Sequence, residues 1–369
     1  MKSALAYNKD YAFNAICPYY TMFPLEYPMG IIKKYRRENP IILDPFCGRG
    51  TTIYAARKFD LRSYGLDTSA IAASIAQAKV ASAKPDAVLE LAKNLLATAP
   101  RNVPQTEFFQ RAFAPSTLLE VCALREGLLS TPKTHAAAIL RAAALGCLHG
   151  PMNASGKASY FSNQMPRTFA SKPDYSVRFW RDRSMNPPVV SVLEVLRKKL
   201  ARISDLDAPS PGRLTDIKCG DARSAASYRR VRNATVTVTS PPYYGMTTYV
   251  EDQWLRNWFL GGPTEIDYGN DQQMSHSGPD AFIADLAKVW RNVLKASDDD
   301  AHLYVRFGAI PSVKSDPRHI LKASLEEADG WTLLSVRNAK TSNAGKRQAA
   351  QMGRESNPAE EFDFHAVRT

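Results

Sequence analysis

Cysteine is scarce and scattered in this 369-residue chain. The five present (Cys17, Cys47, Cys122, Cys147 and Cys219) are odd in number and form no Cys-x-x-Cys pair. A disulfide framework or zinc module is therefore not expected, and the composition fits a reducing, cytoplasmic setting. No run of about 18 apolar residues occurs, so no membrane span is expected. The opening stretch MKSALAYNKDYAFN lacks the apolar centre of a signal peptide. There is no internal repeat and no long low-complexity tract. With 44% hydrophobic and 23% charged residues, the chain has the composition of a globular protein, which excludes global disorder. Neither a membrane nor a metal is expected among its partners.

Positive charge is plentiful. The formal net charge is +12, and a field of that sign attracts polyanions such as nucleic acid. A basic enzyme with no polyanion partner is the alternative.

The expected fold class is α/β. Ile41–Phe46 reads as a buried strand, followed by the glycine-containing turn Cys47-Gly-Arg-Gly50 and a helix from Thr51. Arg62–Asp67 reads as a second strand, and Thr68 or Ser69 could cap a helix over Ala70–Ala83. This is the opening half of a doubly wound sheet. Prolines 18, 24 and 28 disfavour a continuous helix before it, so a short helix is placed at Met29–Arg37. Alternation then stops. Residues 84–212 read as mostly helical (Ala87–Ala97, Ser116–Leu129, His135–Leu148, Val189–Ile203) and are taken as an insertion. Strands resume at Leu214–Gly220, Ala234–Thr239, Ala301–Phe307, Trp331–Ala339 and Phe362–Arg368, with helices at Pro279–Leu294 and Pro317–Ala328. Seven strands result, the last two joined as an antiparallel hairpin. Residues 1–83 and 213–369 would form the α/β domain.

Four short segments fall at strand ends. Asp44-Pro-Phe-Cys-Gly-Arg-Gly-Thr-Thr52 follows the first strand. Glycines there let a ligand approach the backbone and turn the chain into a helix N-terminus. It is neither a dinucleotide fingerprint, lacking the third glycine, nor a P-loop, lacking Gly-Lys-Ser/Thr. The Asp44 carboxylate would suit a ligand carrying an ammonium group. Asp67 ends the second strand, where a carboxylate can accept from both ribose hydroxyls or complement the following helix. Asp221 closes the third strand and could meet an adenine amino group or belong to a simple turn. Ser240-Pro241-Pro242-Tyr243 follows the fourth. Two prolines leave carbonyls without competing N–H groups, beside a hydroxyl and an aromatic ring. That arrangement suits a planar ring with an exocyclic amine.

Together, Asp44–Thr52 and Thr239-Ser-Pro-Pro-Tyr243 resemble the cofactor and catalytic motifs of the amino-methylating DNA methyltransferases, which methylate cytosine N4 or adenine N6. The resemblance covers about 1–83 and 213–369. It implies a seven-stranded Rossmann-like class I methyltransferase sheet, S-adenosylmethionine as cofactor and double-stranded DNA as partner, with a cognate restriction endonuclease as a further candidate partner. Thr21-Met-Phe-Pro-Leu-Glu-Tyr-Pro28 is similar to the segment covering the cofactor's methionine end. The resemblance thus implies cofactor contacts at Thr21, Phe23, Asp44, Phe46, Gly48, Gly50, Thr51, Thr52, Asp67 and Asp221. Catalysis would fall to Ser240, Pro241, Pro242 and Tyr243. The serine form is typical of the cytosine-N4 group, which implies N4-methylcytosine as product and adenine N6 as the alternative. A cytosine-C5 enzyme would need a cysteine nucleophile, and none lies beside Ser240; Cys47 reads as a packing residue. The insertion precedes Asp221 rather than following it, a departure from the family's order.

Between Gly150 and Ile203 ten Lys/Arg face three Asp/Glu, interleaved with Tyr160, Phe161, Phe169, Tyr175, Phe179 and Trp180. Asn163, Gln164, Arg167, Lys172, Arg178, Arg181 and Arg183 are its candidate DNA contacts. A solvated basic face over an aromatic mini-core is the competing reading. A second basic stretch spans Lys340 to Arg354. Two other classes stay open: an RNA base methyltransferase, and a catalytically silent binding protein on the same fold.

Overall fold

A computed structural model describes residues 9–19, 23–150, 159–165, 172–203, 206, 215–245, 251–266, 274–275, 277–309, 315–339 and 360–369. The chain divides into two compact units.

The first comprises Tyr19–Ala76, Pro211–Thr248 and Asn270–Thr369. Its described residues form a seven-stranded sheet of β1 (Ile42–Asp44), β2 (Ser63–Asp67), β3 (Asp216–Cys219), β4 (Ala234–Thr239), β5 (Ser297–Gly308), β6 (Trp331–Asn338) and β7 (Glu361–Arg368). The order is β3-β2-β1-β4-β5-β7-β6. Strands β1 to β5 run parallel, and β7 is antiparallel to both neighbours. This is the expected class I methyltransferase arrangement. The hairpin of the last two strands is present, with β7 inside and β6 at the edge. Strand order reverses between β1 and β4, the switch point at which open α/β sheets bind ligands beyond their carboxyl ends.

Parallel strands covered on both faces carry near-continuous apolar runs, and Leu43, Val238, Leu303, Val305 and Phe307 are all buried. Helices Pro279–Ala296 and Pro317–Ala328 bury Phe282, Leu286, Trp290, Ile320 and Leu321 in the same core. On the other face of β5 and β7 the alternation brings polar groups together: Tyr304 pairs with His365, Arg306 with Asp363 and Gly308 with Glu361.

Two local expectations needed adjustment. The helix placed at Met29–Arg37 spans Glu26–Tyr35. Pro28 lies in its first turn, where a missing N–H breaks no intrahelical bond. Of the two candidate caps, Ser69 caps the helix Ala70–Val80, its Oγ accepting from Ala72 N at 3.3 Å.

The second unit is helical and comprises Met1–Pro18, Gln77–Ser210 and Tyr249–Gly269. It starts at Gln77 rather than 84 and takes in two segments that the sequence pattern assigns to the α/β domain. Packing explains both. Phe108 and Phe109 meet Trp254, and Phe109 meets Trp258 at 4.7 Å. A Cβ on Gly146 would lie 2.2 Å from the Ile16 carbonyl oxygen. Four short helices were also missed: Lys9–Asn14, Glu107–Ala112, Pro173–Asp182 and Trp254–Phe259. The buried guanidinium of Arg256 donates to the carbonyls of Leu145 and Pro18 and to Gln253 Oε1.

Candidate active site

The turn after β1 is built by two left-handed glycines, Gly48 (φ 48°) and Gly50 (φ 77°). Gly50 is the N-cap of helix Thr51–Lys58. A side chain at either position would be strained. Both carboxylate oxygens of Asp67 stitch this turn to the end of β2. One accepts from Gly48 N and the other from Ser69 N, each at 2.9 Å. Cys47 N donates to Leu66 O, and its side chain is buried against Gly65, as a packing residue should be. Phe46, Gly48 and Asp67 stay half-exposed and form the accessible surface of the turn.

Asp44 lies beneath that surface, 1% exposed. Its Oδ1 accepts from Phe46 N and, at 2.6 Å, from Thr239 Oγ1. Burial pushes its carboxyl up to about 7, against hydrogen bonds that pull it down. Asp67 is raised to about 6 for the same reason, with its two backbone donors opposing. Two carboxylates with pKa values raised by desolvation, Asp44 buried and Asp67 half-exposed, form a site of latent negative charge that a cation would stabilise.

Strand β4 ends one position from this cluster. Thr52 Oγ1 donates to Val238 O at 3.1 Å, and Thr239 to Asp44. The next residues are Ser240, half-buried and without a hydrogen-bond partner among the described residues, then buried Pro241 and half-buried Pro242 and Tyr243. The Tyr243 ring stands edge-on to Phe307, centroids 5.7 Å apart at 88°. The first and fourth motifs therefore converge on neighbouring strand ends.

Residues 5–78 match the family model described as a DNA methylase of the N6/N4 group. Over that segment the chain is similar to the amino-methylating DNA methyltransferases. The matched segment contains the cofactor motif and does not distinguish N4 from N6. No significant match was found among curated proteins. Among solved structures the chain is similar to the rRNA methyltransferase aviRa from Streptomyces viridochromogenes, at 1.5 and 2.4 Å. Identities are 13% and 11%, each with a TM-score of 0.34. The alignments cover 95% and 99% of this chain and 87% and 95% of the other.

Several of the residues expected to contact a cofactor have partners within the protein. Thr51 and Thr52 are 1% and 0% exposed, and the Thr52 hydroxyl is spent on Val238. They are struts under the turn rather than its surface, and Asp44 is buried in the same layer. For Asp221 an adenine contact and a simple turn were both open. Its two oxygens take the Arg223 guanidinium at 2.8–3.1 Å and Arg223 N at 2.8 Å. Arg223 also reaches Asp285 at 2.7 Å. Phe23 is buried beside Tyr27, ring centroids 5.2 Å apart, and Phe46 stands edge-on to Trp290. Thr21 lies outside the described residues.

Among the candidate DNA contacts, Asn163 is a correction. It is 2% exposed, its Oδ1 accepts from Gln164 N, and its Nδ2 donates to Arg111 O. Gln164 is half-buried, and its carbonyl accepts from Trp180 Nε1. Phe161 and Trp180 are core residues at 0% exposure. Lys172, Arg178, Arg181 and Arg183 are exposed, on or beside helix Pro173–Asp182. Arg181 pairs with Glu107 at 2.7 Å, and Arg183 lies over the Phe179 ring at 4.1 Å. Arg167, Phe169 and the stretch from 340 to 354 lie outside the described residues.

Sequence reasoning missed Arg223, Gly308 and Glu361, which act through pairings no local pattern displays, and it included Thr239 in a motif without its bond to Asp44.

Proposed function

We propose that the chain is a site-specific DNA methyltransferase, using S-adenosylmethionine to methylate the exocyclic N4 amine of cytosine in double-stranded DNA by base flipping and direct transfer. The observation that carries the reading is the join between β1 and β4. The buried Asp44 carboxylate and the Ser240–Tyr243 turn are adjacent through the Thr239–Asp44 hydrogen bond. A cation-favouring turn thus lies next to an acceptor-rich turn, as transfer from a sulfonium to an amine requires.

The donor set fits S-adenosylmethionine. Two carboxylates raised by burial favour a positively charged ligand, and Phe46, Gly48 and Asp67 offer an accessible aromatic, backbone and carboxylate surface. When bound, the cofactor supplies an electrophilic methyl group on a sulfonium. Asp67 would hold its ribose hydroxyls, and Asp44 would supply negative charge from below. A base inside a duplex is out of reach, so the target is flipped outward. Ser240 Oγ and the Pro241 carbonyl would accept from the amine, drawing its lone pair out of the ring and making the nitrogen more nucleophilic. Tyr243 would stack on the base. Positioning supplies about 7–11 kcal/mol of the barrier in well-oriented reactions. No covalent enzyme intermediate is required.

Ser240 favours cytosine: its hydroxyl can accept from the amine or donate to the adjacent ring nitrogen. The exposed arginines of the helical unit would grip the phosphates. The test is mass spectrometry of nucleosides from unmethylated DNA treated with the protein and S-adenosylmethionine. N4-methylcytosine is expected. N6-methyladenine alone would overturn the base assignment and keep the reaction, whereas label appearing only in RNA would overturn the substrate class.

A further inference from the structure

The family's catalytic motif needs an aromatic ring after its two prolines, and a ring alone would serve for stacking. Here the ring carries a hydroxyl, and that hydroxyl is used. Tyr243 OH donates to Glu361 Oε1, on the first residue of β7 and 118 positions further along the chain. The β5–β7 register places Glu361 opposite Gly308. A Cβ on Gly308 would lie 3.2 Å from Tyr243 Cε2 and 2.7 Å from the Glu360 carbonyl oxygen. Only glycine leaves room there for both the ring and the strand.

These contacts fix different degrees of freedom. The hydroxyl lies on the long axis of the ring, so its bond to Glu361 sets the direction of that axis but not the ring's rotation about it. The edge-on contact with Phe307 sets the rotation. Glu361 is itself anchored. Its neighbour on the same face, Asp363, takes the Arg306 guanidinium at 2.6 and 2.8 Å. Arg306, 5% exposed, also stacks on Tyr27 at 3.9 Å and feels the Glu361 charge.

We infer that Glu361 is a positioning residue that orients Tyr243 as a preformed stacking platform for the target base. This rests on the proposed methyltransferase function. A platform already fixed loses no rotamer freedom when the base arrives, so the gain falls on the DNA-dependent step and not on cofactor binding.

The test follows tritiated methyl transfer from S-adenosylmethionine into unmethylated genomic DNA, with cofactor affinity read by calorimetry. Glu361→Ala and Tyr243→Phe should each lower kcat/KM for DNA by about tenfold or more, as loss of a charge-assisted hydrogen bond implies. Cofactor affinity should stay within about twofold, and the double variant should be no worse than either single one, because both remove the same bond. Glu361→Gln keeps an acceptor and should retain most activity. Should Glu361→Ala fail to fold, Tyr243→Phe reads the same bond from its other end without touching β7. Wild-type turnover in Glu361→Ala, or losses that multiply in the double variant, would overturn the inference. A wild-type protein that methylates no DNA would overturn the proposed function, and this inference with it.

Discussion

Thr239 gives its hydroxyl hydrogen to a carboxylate oxygen of Asp44 at 2.6 Å, joining the end of the strand that carries the proposed catalytic motif to the end of the strand that carries the proposed cofactor motif. A displacement of either turn is therefore felt by the other. Thr239→Val keeps the strand shape and removes the donor. The Asp44 carboxyl should then rise further, since a bond to its charged form is removed. Titration of the Asp44 carboxyl by NMR, compared between the two proteins, checks this.

Asp44 itself gives a pH dependence whose sign can be worked out. Its folded pKa, about 7, lies above the ordinary 3.8. The folded state thus holds more protons between these values, and this group's contribution to stability is full below about 3.8 and lost as pH rises through about 7. Asp44→Asn should stabilise the cofactor-free protein at pH 8 by on the order of a few kcal/mol, read as a higher melting temperature, and the gain should vanish toward about pH 4. The same variant should bind S-adenosylmethionine poorly. In the wild type, affinity should climb between about pH 5 and 8, with proton release on binding below about pH 7, measurable by calorimetry in two buffers.

Asp67 has two duties, so its substitutions should separate them. Its oxygens already hold Gly48 N and Ser69 N. Asp67→Ala should cost cofactor binding about 1.5–3 kcal/mol through charged hydrogen bonds and further loosen the turn. Asp67→Asn can still accept on one oxygen and should lose less. Unchanged affinity in both variants would remove Asp67 from the cofactor site.

Neutralising Arg178, Arg181 and Arg183 should reduce the salt dependence of DNA binding by about 0.9 in the log–log slope for each phosphate no longer neutralised. Among the described residues Arg178 makes no ion pair, whereas Arg181 is paired with Glu107. Arg178→Gln alone should therefore account for more of the reduction than Arg181→Gln. A slope equal to that of the wild type would move the DNA elsewhere.

Gly146 tests packing against propensity. Alanine near the end of helix His135–Cys147 would ordinarily stabilise it by up to about 1 kcal/mol. Here the added carbon would lie 2.2 Å from the Ile16 carbonyl oxygen. Gly146→Ala should instead destabilise the helical unit, by about 1–3 kcal/mol, seen as a lower melting temperature.

The α/β unit was legible because its signals are local. Ala234–Thr239 and Pro317–Ala328 were placed without error, since an apolar run ending in two prolines and a proline-led amphipathic segment leave little choice. Helix Pro173–Asp182 was missed although Pro173 marks its start; dense in charged and aromatic residues, it reads as a basic, aromatic stretch without a clear helical period. Asn163 was misjudged for another reason. A polar residue at a suggestive position can spend its groups on neighbours, and only the partners reveal it. Glu361 could not have been found, because nothing but strand register brings it to Tyr243.

The position of β7 bears on how the protein is made. The strand that lies between β5 and β6 is the last of the seven in the chain. During synthesis the preceding six emerge first, and β5 and β6 each wait with an unpaired edge. Such edges invite pairing with other chains. Completion of the sheet and arrival of Glu361 are therefore the same event, so a chain released early would lack its tyrosine anchor as well as its closing strand. Ribosome-bound chains halted before residue 361 should be aggregation-prone, and full-length chains should not.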